Sequence, residues 1–386
     1  MTPLVRSLRS RPTAATLLLI PVLVLAGCEA TPHRAGPLTA QEPLTHDRFA
    51  SLVERVSERG GYFDTDNLLS NEAGYLKVVD ALRERGVEGG AFVGVGPDQN
   101  YSYIAAVRPE VAFIVDVRRD NLLHHLLLKA LIERAETRVE FLAGLHGVSP
   151  PDDPGAWRDR DIEEIVTYVD DSPAETDRAS RLADEIGEAI DGYGLELSGD
   201  DHATIRRFHR TFVDAGTGLR FTSFGRAPRP YYPSYRQLLL ETDVDGDRAS
   251  YLATAEGYRV VRELHLANRI VPVVGDLSGP DAVRELGSVM REMGVALTAF
   301  YASNVEFYLW QAGTFERWVA NLSTLPIDDH AVVIRSYFPN AGRTHPSAVA
   351  GYYATQALQP VSTLLGASFA TYWDLVTRDV VMLQPR

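Results

Sequence analysis

Short, largely apolar runs recur along this chain, with amphipathic stretches between them. They are Ala91-Phe92-Val93, Val111 to Val115, Ile270 to Val274, Val295 to Tyr301 and Ala331 to Tyr337. A strand without polar alternation buries both of its faces. Such strands, alternating with helices, build a parallel sheet covered on both sides. The pattern therefore predicts an α/β protein. Helices are predicted over Asp47 to Arg59, stopped by Gly60-Gly61, and from an N-cap at Ser70 to Arg85. Further helices are predicted over Asn100 to Val107, Pro280 to Met293 and Glu306 to Leu322.

The alternation is interrupted between the second and third of those runs. Pro150-Pro151-Asp152-Asp153-Pro154-Gly155 marks a loop, and helical patterns follow at Glu175 to Ile190 and Asp200 to Ala215. A loop rich in Pro, Tyr and Arg then runs from Arg226 to Arg236. The region 150–268 reads as a mostly helical insertion dividing a core whose halves are 47–149 and 269–386.

The N-terminus points to export. Arg6, Arg9 and Arg11 precede an apolar run from Ala14 to Ala26, too short to span a bilayer comfortably. It ends Leu25-Ala26-Gly27-Cys28, and Cys28 is the single cysteine of the chain. This ending resembles the bacterial lipobox. That resemblance implies removal of 1–27 and lipidation of Cys28, with 28–46, containing Pro32, Pro37 and Pro43, as a tether. The expected location is the cell envelope, with several acyl chains holding the protein on a membrane surface. The alternative is an ordinary N-terminal helix that contains a cysteine.

Charge narrows the partners. Lys+Arg of 38 against Asp+Glu of 52 gives a net charge of −14 over 386 residues. A phosphate-tracking protein needs a basic surface, so nucleic acid is not the expected partner. A lone cysteine excludes a disulfide framework and a cysteine-based zinc cluster. His202 and His209 share a predicted helix face, but no acid or cysteine pattern makes them a metal site. The serine-hydrolase, zinc-protease and P-loop signatures are missing as well.

One stretch carries chemistry. The first strand runs into Gly94-Val95-Gly96-Pro97-Asp98-Gln99-Asn100-Tyr101, a helix follows, and the second strand ends on Asp116. Glycines after a first strand let the backbone approach a ligand at a helix N-terminus. An acid about 20 residues on suits a pair of ribose hydroxyls. Gln99 stands where a dinucleotide site has its third glycine, which speaks against NAD or FAD. The expected ligand is therefore a different small molecule.

The chain here resembles the class I S-adenosylmethionine-dependent methyltransferases, and more closely an uncharacterised bacterial family with such a core. The resemblance covers 60–140 and 265–340. It includes Phe63 to Asn67, Gly94 to Tyr101, Ile114-Val115-Asp116, Val274-Gly275-Asp276 and Phe300 to Glu306. It implies a Rossmann-like, mostly parallel sheet and S-adenosylmethionine as cofactor. It would set Gly94 and Gly96 against the methionine and ribose parts, in a loop shared with Asp98, Asn100 and Tyr101. Asp116 would take the ribose hydroxyls and Asp276 would lie near the adenine. Ser303 would contact the substrate, and Asn304 with Glu306 would fill the catalytic positions.

Each residue also has a plainer reading. Asp116 could cap a turn, Asp276 could be turn chemistry, and Glu306 with Tyr308 could be a first helical turn. Tyr231, Tyr232 and Tyr235 could stack a substrate ring or simply pack a loop. The amino-methyltransferase pattern of Asn or Asp followed by two prolines and an aromatic is replaced here by Asn304-Val305-Glu306-Phe307. Export also pulls against a charged cofactor made in the cytoplasm. Two functions stay open: a membrane-anchored methyltransferase-like protein, and a non-catalytic binding or scaffold lipoprotein that reuses the fold for another small ligand or a protein partner.

Overall fold

The computed structural model describes residues 38, 42–65, 67–226, 229–339 and 343–383. Six strands form one sheet: β1 (Ala91–Val95), β2 (Val111–Asp116), β3 (Ile270–Val274), β4 (Leu297–Ser303), β5 (Ile327–Tyr337) and β6 (Thr355–Pro360). Their order is β3-β2-β1-β4-β5-β6, parallel except for the β5–β6 pair. β1 and β3 are buried along their whole length, and β2 and β4 at every residue but the last. This is the Rossmann-like, mostly parallel sheet that the resemblance implies, with a helical insertion between β2 and β3.

The order fixes where the helices go. From β1 the chain steps outward to β2 and β3, then jumps back to β4 and steps the other way to β5. Right-handed crossovers in opposite directions put their helices on opposite faces. Helices α1 (His46–Val56), α2 (Val79–Glu84), α3 (Gln99–Val107), α4 (Arg119–Arg134) and α5 (Arg138–Leu145) precede the insertion. The insertion holds α6 (Ile162–Asp171), α7 (Thr176–Asp191), α8 (Gly199–Ala215), α9 (Tyr235–Leu239) and α10 (Ala255–Leu266). The second half adds α11 (Ala282–Met293), α12 (Val305–Gln311), α13 (Phe315–Leu322), α14 (Val361–Gly366) and α15 (Tyr372–Thr377). α10 packs on α3 and α4, while α11 packs on α1 and α13. α10 thus serves the core directly. Among the described residues no helix is long and apolar enough to cross a membrane.

Several predicted boundaries move for identifiable reasons. The helix expected from Ser70 begins only at a 3-10 turn, Tyr75–Val78, because Gly74 at φ 80 breaks the path. The Ser70 hydroxyl instead accepts from the Glu72 amide at 3.1 Å and closes a turn. The helix expected over 306–322 is two helices. Gly313 at φ 66 ends α12, with the Thr314 amide reaching back to the Leu309 carbonyl at 2.9 Å. The end of the expected tether is packed down: Leu44 is buried, and its amide bonds the Ala267 carbonyl at 3.0 Å. β6 was not expected, since Gln356 and Gln359 interrupt its apolar pattern. Both are buried there.

Candidate functional site

β1 and β4 are neighbours whose following helices leave to opposite faces. Their C-terminal ends therefore part, and a crevice at such a switch point is where open α/β sheets bind ligands. A cavity of about 260 Å³ lies there. Its floor is Gly96 after β1, Asp116 ending β2, Gly275 to Leu277 after β3, Ser303 ending β4 and Asn304 after it. Two further segments wall it. The chain leaving α1 is tied over the strand ends by the Glu58 amide on the Val274 carbonyl (2.8 Å) and the Gly61 amide on the Val117 carbonyl (2.6 Å). It then carries Phe63, Asn67 and Glu72 into the cavity. From the insertion come Phe221, Arg226 and Tyr232.

Of the residues singled out in the sequence, Gly96, Asp116, Asp276, Ser303, Asn304 and Tyr232 meet at this one cavity. Gly96 sits at φ 86, where an added Cβ would be strained, and its bare face opens toward Asn67 and Gln99. Asp116 accepts from the Asn67 side chain at 3.0 Å and from the Arg118 amide at 2.8 Å, with the Arg118 guanidinium 3.5 Å away. Burial pushes its carboxyl up, and Arg118 and Asn67 pull it back. Asp276 closes a turn by accepting from the Ser278 amide (2.8 Å) and hydroxyl (3.0 Å), so its turn chemistry and its place on the wall coexist. Ser303 has φ 50, a left-handed conformation costing a side chain roughly 1 kcal/mol or more. Its hydroxyl donates to Glu72, which holds it there.

The other expected residues lie behind the wall. Gly94 is in β1, and a Cβ there would sit 1.9 Å from Asn100 Oδ1. Asn100 is fully buried and donates to the Val95 and Pro97 carbonyls at 2.9 and 2.8 Å, so it shapes the loop from beneath. Tyr101 points at α4, where its hydroxyl meets His125 Nδ1 at 2.8 Å. His125 Nε2 in turn lies 2.9 Å from the Gly96 carbonyl. The carbonyl only accepts, so Nε2 donates to it and Tyr101 donates to Nδ1. Asp98 is buried against the hydroxyls of Tyr235 (3.1 Å) and Tyr251 (3.3 Å), and burial pushes its carboxyl up to about 6. Tyr235 is thus core, and Tyr231 stacks on Tyr353 with ring centroids 4.0 Å apart.

Glu306 does not reach the cavity either. It is buried against Arg335 with Nε to Oε2 at 2.6 Å, and Trp318 Nε1 lies 3.4 Å from Oε1. A buried carboxylate held by a guanidinium and an indole is a structural pair. Cys28 lies outside the described residues.

Glu72 is the acid that sequence reasoning passed over. It is 1% exposed and faces the cavity. Its carboxylate accepts from the hydroxyls of Tyr301 (2.5 Å), Ser303 and Ser336 and from Gln356 (3.3 Å). Burial pushes this carboxyl above its usual range, and the four donors pull it back. Gln99, also on the wall, donates to the Tyr301 hydroxyl at 3.2 Å, while its Oε1 is buried with no partner. Arg226 pairs with Asp64 across the mouth. The turn from Ser70 to Glu72 is the one local signal for this group, and the helix expected from Ser70 covers it.

The chain matches a family model described as a domain of unknown function, DUF7790, over 68–149 and 208–376. It belongs to the DUF7790 family. The matched segments carry Glu72, Gly96, Asp116, Asp276, Ser303 and Asn304, and the skipped stretch falls inside the insertion. No curated protein matches the sequence. Among solved structures, the rRNA methyltransferase aviRa from Streptomyces viridochromogenes is similar at 12% identity. The match covers 79% of this chain and 93% of that one with a TM-score of 0.29, too loose a likeness to bear on activity.

Proposed function

We propose that this member of the DUF7790 family binds S-adenosylmethionine in the cavity at the ends of β1, β2 and β4, and is a methyltransferase-like protein. One observation carries the reading: Gly96, at a backbone angle that favours glycine, and Asp116, at the end of the neighbouring strand, face the same cavity at the sheet's switch point. The residues fit the group. Gly96 leaves room for close backbone approach, the Asp116 carboxylate keeps acceptor capacity beyond Asn67 and Arg118, and Asp276 stands beside it. When bound, the cofactor supplies an activated methyl group. The chain's own work is positional: Asn67 and Arg118 hold Asp116, Glu72 holds Ser303, and the rings of Phe63 and Tyr308, edge-on at 5.3 Å, line the same cavity.

Calorimetric titration of S-adenosylmethionine into the protein tests this, beside an Asp116→Ala variant whose folding is checked by circular dichroism. Saturable binding weakened by the substitution is expected. No binding to a folded sample overturns the proposal.

We further propose that Cys28 carries the lipid anchor in the cell envelope, on the strength of the basic, apolar and Leu25-Ala26-Gly27-Cys28 segments in order. Mass spectrometry of the cellular protein should find an acylated Cys28 at the N-terminus. An intact Met1 or an unmodified cysteine would refute it.

A further inference from the structure

The cavity's charges are nearly all of one sign. Asp64, Glu72, Asp116 and Asp276 face it, against one basic side chain, Arg226. Arg226 is engaged by Asp64, and Arg118 stands behind Asp116. Among the described residues, Glu72 and Asp276 form no ion pair with a basic side chain. An anionic ligand would be repelled here, and a cation would be drawn in.

The hydrogen bonds add direction. Four donors surround Glu72, the arrangement of an ionised carboxylate, which can only accept, so the Tyr301 hydroxyl, 2.5 Å away, spends its proton on it. The Tyr301 oxygen must then accept from the Gln99 amide, which fixes which end of that amide is which. Gln99 Oε1 is left as a buried acceptor with no donor, in a side chain that lines the cavity. A buried acceptor without a partner is costly, and an N–H from a ligand would satisfy it. Four aromatic rings, those of Phe63, Phe221, Tyr232 and Tyr308, also line the cavity, and ring faces attract cations.

From this geometry we propose that the cavity takes, as its second ligand, an organic amine in its cationic form, donating an N–H to Gln99 Oε1 with its charge toward Glu72 among the aromatic rings. The inference rests on the reading above only for what occupies the Asp116 end. It accounts for features that the adenosine part of the cofactor at Asp116 does not use: the four-donor carboxylate, the orphan amide oxygen and the aromatic lining.

The test is calorimetric titration of the full chain with benzylamine, benzyl alcohol and benzoate, which share a ring and differ in charge. The amine should bind at least about tenfold more tightly than the alcohol, the scale of one charge-assisted hydrogen bond, and benzoate should not bind. Glu72→Gln should weaken the amine by a similar factor. Gln99→Leu, which removes the orphan acceptor without leaving a charge unpaired, should do so even if Glu72→Gln fails to fold. Equal affinity for the alcohol or benzoate, no amine binding to folded protein, or unchanged amine affinity in Gln99→Leu would overturn the proposal. S-Adenosylmethionine is titrated in parallel. If it binds and the amine does not, only this inference fails; if the amine binds and it does not, only the cofactor reading fails. Competition between the two would place the amine in the cofactor's own site and refute a second ligand.

Discussion

Gly94 is glycine for a reason that the structure and the sequence state differently, and alanine there separates the two. The sequence motif sets Gly94 against a ligand. In the fold it lies in β1 with ordinary backbone angles, and an added Cβ would meet Asn100 Oδ1 at 1.9 Å and the Phe92 ring at 2.7 Å. Asn100 cannot yield freely, because its amide bridges the Val95 and Pro97 carbonyls. Swinging it out forfeits two buried hydrogen bonds worth about 1 kcal/mol each, and crowding the ring adds ~1–3 kcal/mol. Gly94→Ala should therefore cost ~3–5 kcal/mol. Asn100→Ala removes the obstructing oxygen, itself an acceptor without a donor, so the two substitutions should not add. In the Asn100→Ala background, Gly94→Ala should cost ~2 kcal/mol less than in the native one. Urea unfolding of the four proteins, followed by tryptophan fluorescence, measures the cycle. Costs that add within about 0.5 kcal/mol would refute the argument. So would a fully stable Gly94→Ala that has lost its ligand, since glycine would then serve the ligand.

Two other perturbations probe groups buried away from the cavity. Burial lowers the folded-state pKa of His125 and His146 to about 4 and lowers those of His124, His209 and His265, against about 6.5 in the unfolded chain. Their contribution is whole above pH ~6.5 and is lost as pH falls toward 4, at up to ~1.4 kcal/mol per pH unit for each group. Asp98, raised to about 6, acts in the opposite sense, its contribution present at low pH and lost as pH rises toward 6, and the raised carboxyls of Glu72, Asp116 and Asp80 act in the same direction as Asp98. Urea midpoints should fall between pH 7 and 5, and His124→Leu, which removes a ring with neither nitrogen bonded, should flatten that fall; midpoints that rise over this range would count against it. Glu306→Gln should cost ~3 kcal/mol by stranding Arg335, with ligand affinity in the folded protein unchanged. A fall in affinity at constant stability would return Glu306 to the site.

The sheet was legible because burial on both faces leaves no choice of residue: Ile270 to Val274 reads as a strand and is one, and the Gly96–Asp116 spacing follows from strand, turn, helix and strand lengths. Neighbours of the glycine loop were misplaced for an equally physical reason. α3 starts at Gln99, and its rotation leaves Gln99 on the wall while Asn100 and Tyr101 turn into the core. Sequence proximity is not a shared direction.

What the chain order could not contain is the Glu72 cluster. Its donors Tyr301, Ser303, Ser336 and Gln356 lie 229 to 284 residues further along, on β4, β5 and β6, and no local pattern marks them. The sequence by itself determined the layers, through apolar runs that must be buried, and the strand-end positions of Gly96 and Asp116. Only the tertiary structure decided that a carboxyl from the segment before β1 meets hydroxyls from β4 and β5 and an amide from β6, and that Glu306 is spent on Arg335. Which polar groups are left facing a cavity depends on what the rest of the chain has already satisfied.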